Sequence, residues 1–86
     1  MRVTVQLFAR LRELAGTDTV DVDVPDGASV AEVWKAVVDQ HKALSPFGSS
    51  VSCAVNADFA RRSSRVSPGD EVAFLPPVSG GAFGGR

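Results

Sequence analysis

Hydrophobic and polar residues alternate from the start of the chain. Val3, Val5 and Leu7 fall on one face and Thr4, Gln6 and Phe8 on the other, the period of a strand with one buried side. The period changes over residues 9 to 15. There Leu11, Leu14 and Ala15 share a helical face, Arg10, Arg12 and Glu13 lie mostly off it, and Gly16 suits a left-handed helix end. Alternation returns with Val20, Val22 and Val24 set against Asp21 and Asp23, and Pro25-Asp26-Gly27 has the composition of a turn. Two strands joined by a short helical connection form one unit, most simply an antiparallel pair.

Ser29-Val30-Ala31-Glu32 matches a capping box, in which each end's side chain satisfies the other's backbone N–H. Val30, Val33, Trp34, Val37, Val38, His41 and Leu44 follow at helical spacing, which predicts an apolar stripe of about four turns. Ser45-Pro46 is expected to stop it, because proline pushes the preceding residue out of the helical region. Phe47-Gly48-Ser49-Ser50 reads as loop. Val51, Cys53 and Val55 then alternate with Ser52 and Ala54, a further half-buried strand closing at Asn56-Ala57-Asp58. Residues 59 to 69 read as polar and irregular, ending in the turn pair Pro68-Gly69. Glu71-Val72-Ala73-Phe74-Leu75 is the last strand, with Val72 and Phe74 on one face. The order predicts an α+β roll, a mixed sheet of four to five strands packed on one main helix. Its core is expected where Val33, Trp34 and Val37 meet Val3, Val5, Val22, Val55, Val72 and Phe74.

Composition narrows the function. A chain of 86 residues fits one domain, here residues 1 to 77, followed by a tail over 78 to 86. A domain this small hides roughly 60% of its unfolded surface, which argues against a deep enclosed enzyme pocket. Nine basic and ten acidic residues, interspersed to a net charge of −1, argue against nucleic acid or an acidic membrane as partner. One cysteine and one histidine cannot build a disulfide framework or a four-ligand zinc site, so neither metal nor cofactor is expected. No apolar run approaches the roughly 20 residues of a membrane span, and the first residues lack a signal-peptide pattern; the default location is cytoplasmic.

Few side chains offer chemistry. Cys53 lies in apolar register and reads as a buried structural thiol. His41 reads as a helix-end histidine. Arg61, Arg62 and Arg65 are either a solvated loop or a contact for an anionic partner. The tail is more informative. Pro76 and Pro77 stiffen the chain directly after a strand, and Pro76 to Gly81 would span roughly 20 Å if extended. Gly80-Gly81 has no side chains and can thread a narrow channel. Composition alone leaves two readings, a disordered end or an arm that enters a partner.

Three blocks carry a resemblance. Leu7-Phe8-Ala9-Arg10-Leu11-Arg12-Glu13-Leu14-Ala15-Gly16, Ala54-Val55-Asn56, and Gly69-Asp70-Glu71-Val72-Ala73-Phe74-Leu75-Pro76-Pro77-Val78-Ser79-Gly80-Gly81 resemble the small subunit of molybdopterin synthase. The resemblance covers residues 1 to 81 and implies the ubiquitin-like β-grasp fold. It also implies a sulfur carrier, itself non-catalytic, within a heteromeric sulfurtransferase. A ubiquitin-activating-like adenylyltransferase would adenylate the terminal glycine, which would then become a thiocarboxylate. The arm would enter the large synthase subunit and give its sulfur to a cyclic pyranopterin monophosphate, on the way to the molybdenum cofactor. By motif match the reacting position is Gly81, with Gly80 as its approach, and Phe8 and Arg12 fall at positions of the partner surface. Leu75, Pro76, Pro77 and Val78 complete the expected partner-binding set.

The chain departs from the pattern after Gly81, continuing with Ala82-Phe83-Gly84-Gly85-Arg86. A glycine inside the chain has an amide where the chemistry needs a carboxylate. A processing protease acting after Gly81, removal of Arg86 to expose Gly85, and a permanent tail are all open readings. No Gly-x-x-x-x-Gly-Lys-Ser/Thr loop is present to hold a nucleotide, so activation falls to another protein. Alternatives in function are a ubiquitin-like carrier for thiamine or cysteine biosynthesis or for protein conjugation, and an interaction module that carries no sulfur.

Overall fold

In the computed structural model, which describes residues 1–48 and 50–76, the first alternating segment is strand β1 (Arg2–Leu7), with Val3, Val5 and Leu7 buried. Helix α1 (Ala9–Ala15) follows and ends at Gly16, whose φ of 76° is the left-handed conformation that glycine adopts without strain. Only Leu11 of α1 is buried; Leu14 and Ala15 lie at the core's margin. Strand β2 (Thr19–Asp23) runs antiparallel to β1, as the N-terminal pattern predicts.

Helix α2 (Val30–Gln40) begins at the expected capping box: Ser29 Oγ accepts from the N–H of Glu32, and Glu32 reaches back to the N–H of Ser29. The helix's remaining free donors are filled from the stretch read as irregular. The N–H of Val30 donates to Ser64 O and that of Ala31 to Arg62 O, both at 2.9 Å. Val30, Val33, Trp34 and Val37 are buried, whereas Val38 and His41 are half-buried.

Two elements differ from the sequence reading. The α-helix stops at His41 (φ −131°, ψ 82°), before Ser45-Pro46, and a 3-10 helix spans Lys42–Phe47 with Pro46 inside it. Eleven residues make a helix of about 16 Å, close to the 17–20 Å of a five- or six-residue strand. A longer straight helix would carry Leu44 past the sheet. The break folds it back instead, fully buried and beside α1. Proline's fixed φ near −65° suits the 3-10 conformation. The second difference is a strand, β4 (Asp58–Ala60), inside the stretch expected to be irregular. It pairs antiparallel with β3 (Ser52–Val55) through the turn Asn56-Ala57, whose φ values of 51° and 72° fit a primed hairpin turn.

Strand β5 (Glu71–Leu75) completes a sheet of order β2-β1-β5-β3-β4. β1 and β5 are parallel and the other neighbours antiparallel, so the sheet is mixed and five-stranded, gripping α2 in a β-grasp roll. The expected core is present: Trp34 meets Phe74 edge-on with ring centroids 4.8 Å apart, and among its expected members only Val55 is less than fully enclosed. No helix among the described residues is long and apolar enough to cross a membrane.

This packing can be tested at two positions. Phe74→Ala empties the contact with Trp34 and should cost about 3–5 kcal/mol in urea titration. Ala57→Gly should gain about 0.5–1 kcal/mol, because a left-handed alanine is strained by more than glycine's added entropy costs. An unchanged midpoint for either variant would contradict the assignment it tests.

Candidate functional site

Among the described residues, helix α2 covers one face of the sheet and leaves the other open. The strand register places Thr19, Gln6, Ala73, Ala54 and Phe59 in one row across that outer face. Along this row the face changes character between β1 and β5. On the β2–β1 side, polar groups satisfy one another: Arg2 Nε lies 3.4 Å from Asp23 Oδ1, Thr4 Oγ1 donates to Asp21 Oδ1 at 3.1 Å, and Gln6 Nε2 donates to Glu71 Oε2 at 3.3 Å. On the other side Ala73, Leu75, Ala54 and Phe59 supply an apolar half with Ser52 among them.

Phe8 joins this half from the end of β1. Its N–H donates to Phe74 O at 3.3 Å, one step beyond the Leu7–Phe74 pair, so its backbone runs beside Leu75. It is the extended N-cap of α1, and its ring is 44% exposed, in agreement with the outward register read from the sequence. Ala9 follows with a φ of 53°, a left-handed residue at the bend that turns the chain into α1. Leu75 and Pro76 are half-buried alongside. The structure therefore brings together Phe8, Leu75 and Pro76 of the expected set. Arg12 is exposed on α1, whose own ion pair joins Arg10 to Glu13 at 3.1 Å. Pro77, Val78, Gly80 and Gly81 lie outside the described residues.

Sequence reasoning missed Phe59. It is 87% exposed and, with Phe8, one of two exposed large hydrophobics among the described residues. The available signal was a phenylalanine two residues after Asn56-Ala57, a weaker turn pair than Asn-Gly, in a polar stretch with no apolar alternation to mark a strand.

The turn that carries β4 is tied to the start of β5. The N–H of Asn56 donates to Glu71 O at 2.8 Å, its Nδ2 donates to Asp70 Oδ1 at 2.9 Å, and its Oδ1 accepts from the N–H of Glu71 at 3.0 Å. Asp70 Oδ2 accepts from the N–H of Ser67 at 2.8 Å. The Ser67 N–H and then the Asn56 amide hold the Asp70 carboxyl below its ordinary pKa. These bonds explain why Asn56 and Asp70 stand where the sequence motifs have them.

The other polar candidates are structural. Burial pushes the Cys53 thiol up in pKa, only partly offset by Arg62, and its Sγ donates to Ala60 O at 3.2 Å, so it is no ready nucleophile. His41 is the C-cap of α2, a helix-end histidine as expected. Arg65 Nη1 donates to Gly27 O at 2.7 Å and Arg62 Nη2 to Val51 O at 3.4 Å. Two of the three clustered arginines thus brace the loop over the start of α2.

The chain matches the model of the ThiS family over residues 5–81. It is 37% identical over 81 residues to the molybdopterin synthase sulfur carrier subunit of Escherichia coli, covering 92% of this chain and 99% of that one. It is 39% identical over 84 residues to small archaeal modifier protein 1 of Haloferax volcanii, covering 88% of this chain and 97% of the relative. The crystal structure of that archaeal protein superposes with a TM-score of 0.84 at 37% identity, covering 94% of this chain and all of that one. The crystal structure of the BexX/CysO complex of Amycolatopsis orientalis matches with a TM-score of 0.72 at 25% identity, over 92% of this chain and 99% of the other. A β-grasp domain matched over this length, with a strand that leads into Gly80-Gly81, makes the chain a sulfur carrier of the ThiS family.

Proposed function

We propose that this protein is the sulfur-donating small subunit of molybdopterin synthase. One observation carries the reading: β5, flanked on its outer face by Phe8 and Ala54 with Phe59 one strand beyond, leads directly into Pro76-Pro77-Val78-Ser79-Gly80-Gly81. A rigid apolar face for docking and a side-chain-free reactive end are thereby parts of one strand and its continuation. The name and similarity of the Escherichia coli relative support the pathway.

The chemistry asked of the chain is narrow. A carboxylate is a poor electrophile, and exchanging its oxygen for sulfur first requires a good leaving group. The adenylyltransferase supplies one when the Gly81 carboxylate attacks the α-phosphate of ATP, forming the acyl-adenylate and releasing pyrophosphate. A sulfide equivalent then displaces AMP and leaves the thiocarboxylate. The large subunit accepts the arm and directs that sulfur to the cyclic pyranopterin monophosphate. Both partners need the same arm, so they use overlapping surface around Phe8, Leu75 and Phe59. A two-protein complex of a similarly folded chain, the one from Amycolatopsis orientalis, is consistent with such docking. A second reading, a carrier for another pathway or for conjugation to proteins, draws support from the likeness to small archaeal modifier protein 1.

Residues 82 to 86 should have to be removed before Gly81 reacts. Arg86 would otherwise bring an unpaired charge, and Phe83 a bulky ring, into a channel suited to glycine. A protein ending at Gly81 should be adenylated, gain the mass of an oxygen-for-sulfur exchange, and convert the pterin with the large subunit. The 86-residue protein and one ending at Gly85 should be inert or much slower. Equal single-turnover yields from all three, without trimming seen by mass, would count against Gly81. Failure of the Gly81-terminated protein with the large subunit, but success in another sulfur pathway, would favour the second reading.

The docking face gives a separate prediction. Phe8→Ser and Phe59→Ser should each weaken large-subunit binding about tenfold or more, as loss of an aromatic anchor does. Phe59 is 87% exposed, so its variant should hardly move the melting temperature, whereas Phe8, at 44%, should lower it modestly. Unchanged affinity in calorimetric titration would take the outer face out of the interface.

A further inference from the structure

We propose that the Asn56–Asp70 bridge is a positioning device, which holds Phe59 at a fixed place relative to the strand that carries the reactive arm. The inference rests on the reading above, in which the outer face docks the large subunit.

The need for such a device comes from the hairpin. β4 has three residues and, among the described residues, forms one edge of the sheet and pairs only with β3. Its turn is not strongly self-supporting, because Ala57 is held at a φ of 72° without glycine's freedom. Phe59 is 87% exposed, so little packing fixes its ring and the backbone beneath must do so. Apart from the β3–β5 ladder, what joins this turn to β5 is Asn56. Its backbone N–H and both ends of its amide bond to Asp70 and Glu71, where β5 begins. Four residues further along that strand is Leu75, at the root of the arm. Phe59 and the arm root are thus two points on one body, and Asn56 closes the hairpin onto it.

The residue type is specific. Position 56 must adopt a φ of 51°, which asparagine and aspartate tolerate better than most residues. Its side chain must accept from the Glu71 N–H and donate to the Asp70 carboxylate at once. In N56D the new carboxylate can accept but not donate, and it faces a like charge. In D70N the new amide has one acceptor for two donors, the Ser67 N–H and the Asn56 amide. Exchanging the two side chains restores every partner. A carboxylate at position 56 would accept from both the Glu71 N–H and an amide at position 70, and that amide would keep its oxygen for Ser67.

This exchange makes the test. Binding of the large synthase subunit from the same organism is measured by calorimetry for the Gly81-terminated protein and its N56D, D70N and N56D/D70N variants, each with Phe59 intact and with F59A. Thermal melts and β4 amide exchange are followed in parallel. Each single variant should bind about tenfold more weakly, the scale of one charge-assisted hydrogen bond, with faster exchange in β4. The double variant should return to within about threefold of wild type. In the F59A background the same substitutions should change affinity little, which a general loss of stability would not produce. Wild-type affinity in both single variants, no recovery in the double variant, or an undiminished effect without Phe59 overturns the proposal. So does F59A binding as tightly as wild type. A wild-type protein that does not bind the large subunit overturns the pathway reading, and this proposal falls with it.

Discussion

The parallel pairing of β1 with β5 is the constraint on which the rest depends. It joins the first strand of the chain to the last at the centre of the sheet, setting Val5 beside Val72 and Leu7 beside Phe74. Parallel neighbours need a crossover rather than a hairpin, and α2 lies in the long connection between them. The apolar stripe of that helix is then laid over the central strands, where Trp34 meets Phe74. The same pairing decides where the chain leaves the fold. Phe8 extends the ladder by one bond to Phe74 O, and Leu75 follows directly, so the exit of β5 acquires an aromatic neighbour from the other end of the sequence.

The edges of the sheet are treated unequally. On β2, Thr17 Oγ1 donates to Thr19 O at 3.1 Å and accepts from the Thr19 N–H at 3.3 Å, while Gln40 Nε2 donates to Asp21 O at 3.1 Å. These side chains occupy part of the exposed ladder, and Asp21 and Asp23 add charge, which together discourage strand addition. On β4 the edge is short and carries Phe59 instead. Apolar exposure is therefore concentrated on the side of the sheet near the arm and is countered by paired polar groups on the other. A partner docking there, as proposed, would meet its hydrophobic contact on the half of the face formed by β5, β3 and β4.

Much of this was legible in local pattern. Period-two alternation marked β1, β2, β3 and β5, the capping box marked the start of α2, and the αL glycine marked the end of α1. Two failures have distinct causes. The end of α2 was misplaced because Leu44 keeps helical spacing with Val37, yet the sheet is too short for a straight continuation; only the tertiary dimension reveals that. β4 was missed because its three residues pair with β3 alone and carry no buried alternation, so its identity comes from the turn before it. The site was divided in the same way. Phe8 and Leu75 could be placed from register and from the resemblance, whereas Phe59 becomes part of the face only once β4 is known to pair with β3. Asn56 stood in a recognisable motif, but its purpose needed the contact with residues 70 and 71, fourteen and fifteen positions away.

A chain that handed sulfur from an activating enzyme to a large subunit, as proposed above, would face opposing demands, and the division of its surface would reconcile them. The reacting end must be free of side chains, so it contributes almost no apolar surface to recognition. Recognition then has to come from the rigid body, and tight binding there would hinder transfer from the activating partner to the next. The exposed apolar half consists of two phenylalanines with smaller residues between them, against polar neighbours already paired among themselves. Specificity can then rest on geometry, on whether a partner's pocket for Phe59 and its channel for the arm are separated as the sheet separates them. That spacing is an ångström-scale quantity. It would be preserved only if the hairpin and the last strand move as one body, which is the purpose proposed for the bonds from Asn56 to Asp70 and Glu71.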